Sequence, residues 1–212
     1  MSRESALIDR LATGLQPVKP LASPWLRALL WLGAIVVLAV WYAMGADLAL
    51  VRGRITGAPD AVLSVAGSVL TCILAAIAGF ELSLPDRRDG WMLLPLPGVA
   101  LWLGASGLGC LRQVLIPTME VPDMHGSMEC LTFILELSIP LSALLIWMLR
   151  KAHPLRPGRV AAMAGLAAAA GSASLLWFDH PYDASAVDLA THVVAVLAVV
   201  GINRVLGGRL LG

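Results

Sequence analysis

The chain has 212 residues, of which 58% are hydrophobic and 14% charged, with a formal net charge of +1. Soluble domains carry about 25% charged residues. This composition excludes a disordered chain, a nucleic-acid reader with a basic face and an ordinary soluble enzyme, and leaves an all-α polytopic membrane protein.

In chain order, the first 24 residues precede any spanning segment. Ser5 can cap a short helix in which Leu7, Ile8, Leu11 and Leu15 share one apolar face, with Asp9 and Arg10 on the other side. Pro17 and Pro20 stop it. Such a helix either lies on a lipid surface or docks into a groove of a soluble protein. A spanning helix needs about 20 mostly apolar residues. Six segments qualify: Trp25–Gly45, Ala61–Leu82, Trp91–Ile116, Cys130–Leu149, Val160–Phe178 and Ala186–Leu206. The first is expected to stay uncleaved, because its apolar run is too long for an ordinary signal-peptide core. Pro95 and Pro97 are expected to kink or delay the third span. Ala161, Ala164, Ala168 and Gly171 form a small-residue stripe in the fifth, suited to close helix packing. The organisation is thus a segment 1–24, a six-span domain 25–206 and a tail 207–212.

Lysine and arginine prefer the cytoplasmic side of a membrane. Twelve of the fifteen fall in the N-terminal segment, the second and fourth connections and the C-terminus; only Arg52, Arg54 and Arg112 fall on the other side. This split predicts that both termini are cytoplasmic.

The chemistry-bearing residues are few. Cys72, in mid-span, reads as a packing residue. Cys110 and Cys130 fall near the outer ends of the third and fourth spans, where they either form a disulfide or remain thiols. His125, His180 and His192 also fall at the outer side. Thiolate and imidazole suit zinc and copper, so His125, Cys130 and His180 are candidate ligands for a transition-metal ion; otherwise they are solvated polar groups. Glu136 lies well inside the fourth span. An intramembrane carboxylate is costly unless it is paired, protonated or turned to the bundle interior. It is either functional or a structural helix–helix bond, with Arg112 a candidate partner. No Walker loop, GxSxG, HExxH or dinucleotide fingerprint is present.

Over essentially its whole length the chain resembles the NrsF family of inner-membrane anti-sigma factors, negative regulators of extracytoplasmic-function sigma factors. The resemblance rests on the short tail ending in Pro24-Trp25, Leu-Ser-Leu-Pro-Asp-Arg-Arg at 82–88, and Gly109-Cys110-Leu111-Arg112. It continues through His125-Gly126-Ser127, Cys130 and Pro140 to Pro154-Leu155-Arg156-Pro157-Gly158. It implies sequestration of a sigma factor at the cytoplasmic face, with release on outer-side stress reported by paired cysteines. Cys130 corresponds to one of these; the other position reads Asp179-His180-Pro181, so His180 stands where a thiol is expected. The expectation is therefore a non-enzymatic protein in the bacterial inner membrane. A sigma factor would dock on Leu7, Ile8, Leu11 and Leu15, and input would arrive at His125, Cys110, Cys130 and His180. It needs no direct nucleic-acid contact and no cofactor beyond that metal ion. The alternatives are a small thiol- or quinone-linked redox protein using Cys110 and Cys130, and a small transporter with Glu136 in its path.

Overall fold

The computed structural model describes residues 3–13, 15, 20–115, 124–178 and 186–212, and these are helical with short connections. The helices are α1 (Arg3–Thr13), α2 (Pro24–Gly45), α3 (Leu48–Gly57), α4 (Pro59–Leu82), α5 (Leu96–Leu115), α6 (Met124–Arg150), α7 (Pro157–Leu175), α8 (Ala186–Ile202) and α9 (Gly208–Leu211). Six helical stretches are long and apolar enough to cross a membrane.

Prolines set several of the starts. Pro24, Pro59 and Pro157 each occupy a first helical position, where a missing N–H costs nothing. The Ser23 hydroxyl accepts from Leu26 N at 3.3 Å and caps α2. Pro95 and Pro97 delay the third span. Residues 89–93 form a 3-10 turn, and α5 begins only at Leu96, with Val99 N bonding the Pro95 carbonyl at 3.0 Å. Two stretches are more helical than the hydropathy pattern suggests. The first connection contains α3, and the last span continues through a π-helical turn, Asn203–Gly207, into α9, where Leu211 is buried.

Helix α7 is the centre of the bundle. In its most apolar 18-residue stretch 78% of the residues are buried, against 11% for α2 and for the last span. It packs on α2, α4, α6 and α8. Between helices in lipid there is little hydrophobic driving force, so association depends on close van der Waals contact and interhelical hydrogen bonds. The sequence supplies both. Ala161, Ala164, Ala168 and Gly171 are all buried on α7. Ser68 on α4 meets Ser174 on α7 at 2.9 Å, and Ser138 on α6 meets Ser172 on α7 at 3.1 Å. Ser64 on α4 meets Ser106 on α5 at 2.8 Å. The Trp31 indole of α2 donates to the Leu141 carbonyl of α6 at 3.1 Å.

The tightest crossing is between α4 and α5. A Cβ at Gly67 would stand 2.4 Å from Trp102 N, and one at Gly98 would stand 2.6 Å from Thr71 N. Each helix thus presents a glycine to the backbone of the other. Gly67→Ala and Gly98→Ala are each expected to destabilise the protein by about 1–3 kcal/mol through overpacking. Gly33 on α2 has open space where its Cβ would be, and Gly33→Ala should be neutral or stabilising by up to about 1 kcal/mol. Thermal unfolding in detergent checks this; a Gly67→Ala protein as stable as wild type would contradict the close crossing.

Candidate functional sites at the two ends of the bundle

The connection between α4 and α5 and the one between α6 and α7 lie at the same end of the bundle, where their charges interlock. Asp89 pairs with Arg156 and, at 2.7 Å, with Arg159. The buried Glu81 carboxylate pairs with Arg87 at 2.9 Å. Arg27, in the first turn of α2, is buried; it donates to the Met148 carbonyl and lies over the Phe80 ring, 4.7 Å from its centroid. Met148 is in the last turn of α6, where carbonyls lack helical donors and a cation is favoured by the helix dipole. The C-terminus joins this end too: a Cβ at Gly208 would be 3.1 Å from Gly158 Cα. Most of the basic residues that the sequence assigns to one side are therefore gathered at one end.

Helix α1 precedes this end. Leu7, Ile8, Leu11 and Leu15 are 58%, 64%, 65% and 77% exposed. Leu7, Ile8 and Leu11 form an apolar stripe on α1 that the described part of the chain leaves open, whereas Leu15, expected on the same helix face, lies beyond the helix end at Thr13. Thr13 closes the helix by donating its hydroxyl to the Asp9 and Arg10 carbonyls.

The opposite end holds a second polar group. Arg112 Nε donates to Asp60 Oδ1 at 2.9 Å and its Nη2 to Asp60 Oδ2 at 3.2 Å, a two-pronged bond joining α5 to the first turn of α4. On α8, His192 Nδ1 donates to the Asp188 carbonyl at 2.8 Å and lies 3.5 Å from Asp188 Oδ1. The Asp188 carboxylate also takes a hydrogen bond from the Cys130 thiol of α6. Both Cys130 and Asp188 are buried. A cavity of about 420 Å³ opens beside this group, between α4, α5, α7 and α8. Asp60, Ser64, Ser68, Ser106, Asp188 and His192 are its polar lining, and Trp102 and Trp177 stand among otherwise aliphatic walls.

The candidate residues fare differently. Cys130 is placed at the centre of the polar group. Cys110 is half-buried on α5, and none of Cys72, Cys110 and Cys130 is in a disulfide, so Cys110 and Cys130 are not joined. His125 falls in the first turn of α6, but its side chain lies outside the described residues, as does the whole of His180. Among the described residues, no three His, Cys, Asp or Glu side chains converge to hold a metal ion. The pairing of Arg112 with Glu136 is corrected. Arg112 is taken by Asp60, and Glu136 is exposed on the outer face of α6, opposite Ile134 and Ser138, which are buried. A transport path through the bundle would not meet it.

Asp188 and His192 are the residues that the sequence reading undervalued. They stand four apart on one helix, a spacing that places both on one face. Cys130 is surrounded by a carboxylate and apolar side chains, unlike the accessible, electropositive setting of reactive thiols. In native protein, Cys110 is therefore expected to react with N-ethylmaleimide first, Cys130 slowly and Cys72 only on denaturation; Asp188→Ala should speed labelling of Cys130. Mass spectrometry of labelled peptides reads this, and Cys130 labelling as fast as Cys110 would refute the buried thiol–carboxylate bond.

Comparison with known proteins bears on what these two ends serve. No curated protein and no solved structure matches the chain. A family described as negative regulator of sigma F matches residues 11–212, so the match starts inside α1 and runs to the C-terminus. Its description is regulatory, not catalytic. With six apolar helices, a charged end carrying both termini and a match over nearly its full length, the chain belongs to the NrsF family, whose name implies negative regulation of a sigma factor.

Proposed function

We propose that this protein is a membrane-held anti-sigma factor of the bacterial inner membrane, with both termini cytoplasmic. It captures an extracytoplasmic-function sigma factor, keeps it from RNA polymerase, and frees it when a stress signal arrives at the outer side. The observation that carries the proposal is the open apolar stripe of α1, Leu7, Ile8 and Leu11, with Leu15 exposed just beyond it, on the segment that leads into α2, whose first turn lies at the basic end. A helix with one uncovered apolar face suits insertion into a groove on a soluble partner. The protein acts by binding and performs no catalysis itself.

In this reading the input end is the group around Cys130, together with Cys110 of α5 and with His125 and His180, which the sequence assigns to the same outer side. The interaction between Cys130 on α6 and Asp188 on α8 is the element that an oxidant or a soft metal ion would disturb. Helix α8 links the ends. It carries Asp188 and His192 at one, and at the other the π-helical turn in which Asn203 bonds Ser142 of α6 at 3.0 Å. A π-helical turn is a less regular stretch of helix, often found at functional sites. Signalling requires two bundle states that differ in affinity for the sigma factor.

The test is co-purification of the sigma factor with the intact protein in detergent. Paired substitution of Leu7→Asp and Leu11→Asp should weaken binding about 30-fold or more, and deletion of residues 1–20 should abolish it. If both variants retain the sigma factor at wild-type affinity, α1 is not the docking surface. Oxidant or zinc should release the sigma factor from wild type but not from Cys130→Ser or His180→Ala; equal release from all three would make the outer group structural.

A further inference from the structure

Among the described residues, most polar side chains within the bundle are tied to neighbours, and Glu136 is not. Glu136 is exposed on α6, with no hydrogen bond or ion pair to any described residue. It stands eight residues from Met128, where the fourth membrane-length stretch begins, and fourteen from Arg150, where it ends. At 1.5 Å per residue this is about 12 Å from one end and about 21 Å from the other. If the six helices cross a bilayer, Glu136 faces hydrocarbon, too deep for a glutamate side chain to reach the surface.

A second polar group sits at the same level. Pro140 lies inside α6. Residue 140 would ordinarily bond the carbonyl of residue 136, but proline has no N–H to give. The Glu136 carboxyl group and the Glu136 carbonyl therefore both lack their usual partners, on one exposed face. Around them are Ile139, Pro140, Ala143 and Trp147, all exposed and none charged. Lipid tails satisfy neither polar group.

We propose that a second copy of this chain covers this face, forming a two-fold dimer through α6 with Glu136 near the axis. Near a two-fold axis a residue meets its own counterpart. The Glu136 carboxyl O–H of one copy then donates to the open Glu136 carbonyl of the other, and the reverse bond follows by symmetry. The donor and the acceptor are on the same residue, so the face is complementary to itself. A soluble partner cannot cover it, because the group is buried in the depth of the membrane. Ile139 and Ala143, about one and two turns further along α6, bring the helices together without further polar demands. This inference does not rest on the sigma-factor reading: a dimer can form whether or not α1 docks a partner.

The experiment uses full-length protein labelled with donor or acceptor fluorophores at its C-terminus and reconstituted into phosphatidylethanolamine–phosphatidylglycerol liposomes over a range of protein-to-lipid ratios. Wild type should show energy transfer that declines on dilution with lipid. Glu136→Gln keeps a donor and an acceptor at the site and should retain the dimer. Glu136→Leu should raise the dissociation mole fraction about tenfold, the loss expected for two interhelical hydrogen bonds in a bilayer. Pro140→Ala restores the N–H that engages the carbonyl and should weaken the dimer in the same direction. Glu136→Leu removes a carboxyl from a lipid-facing position and should leave the thermal unfolding of the bundle intact. A monomeric wild type at every density, or Glu136→Leu dimerising as wild type does, would overturn the proposal. So would photo-crosslinking from position 139 in native membranes that captured a different membrane protein in place of a second copy.

Discussion

Helix α7 can be surrounded only because its side chains are small. Ala161, Ala164, Ala168, Gly171, Ser172 and Ser174 are all buried, and α2, α4, α6 and α8 pack on the helix they belong to. In lipid, where apolar surface gains little by leaving the solvent, that closeness is what holds helices together. Larger side chains on α7 would push its neighbours apart and break the serine bonds at 2.9 Å and 3.1 Å that tie α4 and α6 to it. The positions of the polar groups at both ends depend on this central packing. Cys130 on α6 and Asp188 on α8 meet because α6 and α8 pack on the same helix and on each other.

Most of the architecture is legible in the sequence because a bilayer imposes length and apolarity on each span. The six spans, the small-residue stripe of α7 and the gathering of basic residues at one end all follow from composition along the chain. Pairings between helices are not legible in this way. Gly67 and Gly98 lie 31 positions apart, and nothing in either local pattern says that each faces the other's backbone. Asp60 as the partner of Arg112 is hidden for the same reason. The side of α6 on which Glu136 falls is hidden by a different one. Lipid and protein core are equally apolar, so Ile134 facing inward and Ile139 facing outward look alike in sequence. The α1 stripe is the exception, since a helix in water advertises its apolar face by contrast with Asp9 and Arg10 on the other side.

The polar groups divide into two kinds. Ser64, Ser68, Ser138, Ser142 and Asn203 are bonded across helix interfaces and serve to join them. Asp188, His192 and Cys130 are bonded too, but beside a cavity and at the end opposite the charged connections. A link between α6 and α8 that depends on one thiol is a point at which chemistry could alter helix packing. Its position fits a regulator whose input and output lie at opposite ends, with α8 running between them. Glu136 belongs to neither kind, and its exposure moves attention from the interior of the bundle to its outer surface.

The central claim is that α1 is the surface that captures the sigma factor. Hydrogen–deuterium exchange of the full-length protein in nanodiscs, with and without the sigma factor, tests it most directly. The account predicts that residues 3–15 exchange rapidly in the free protein and become strongly protected in the complex. Unchanged exchange across residues 3–15, with protection appearing elsewhere on the chain, would contradict it.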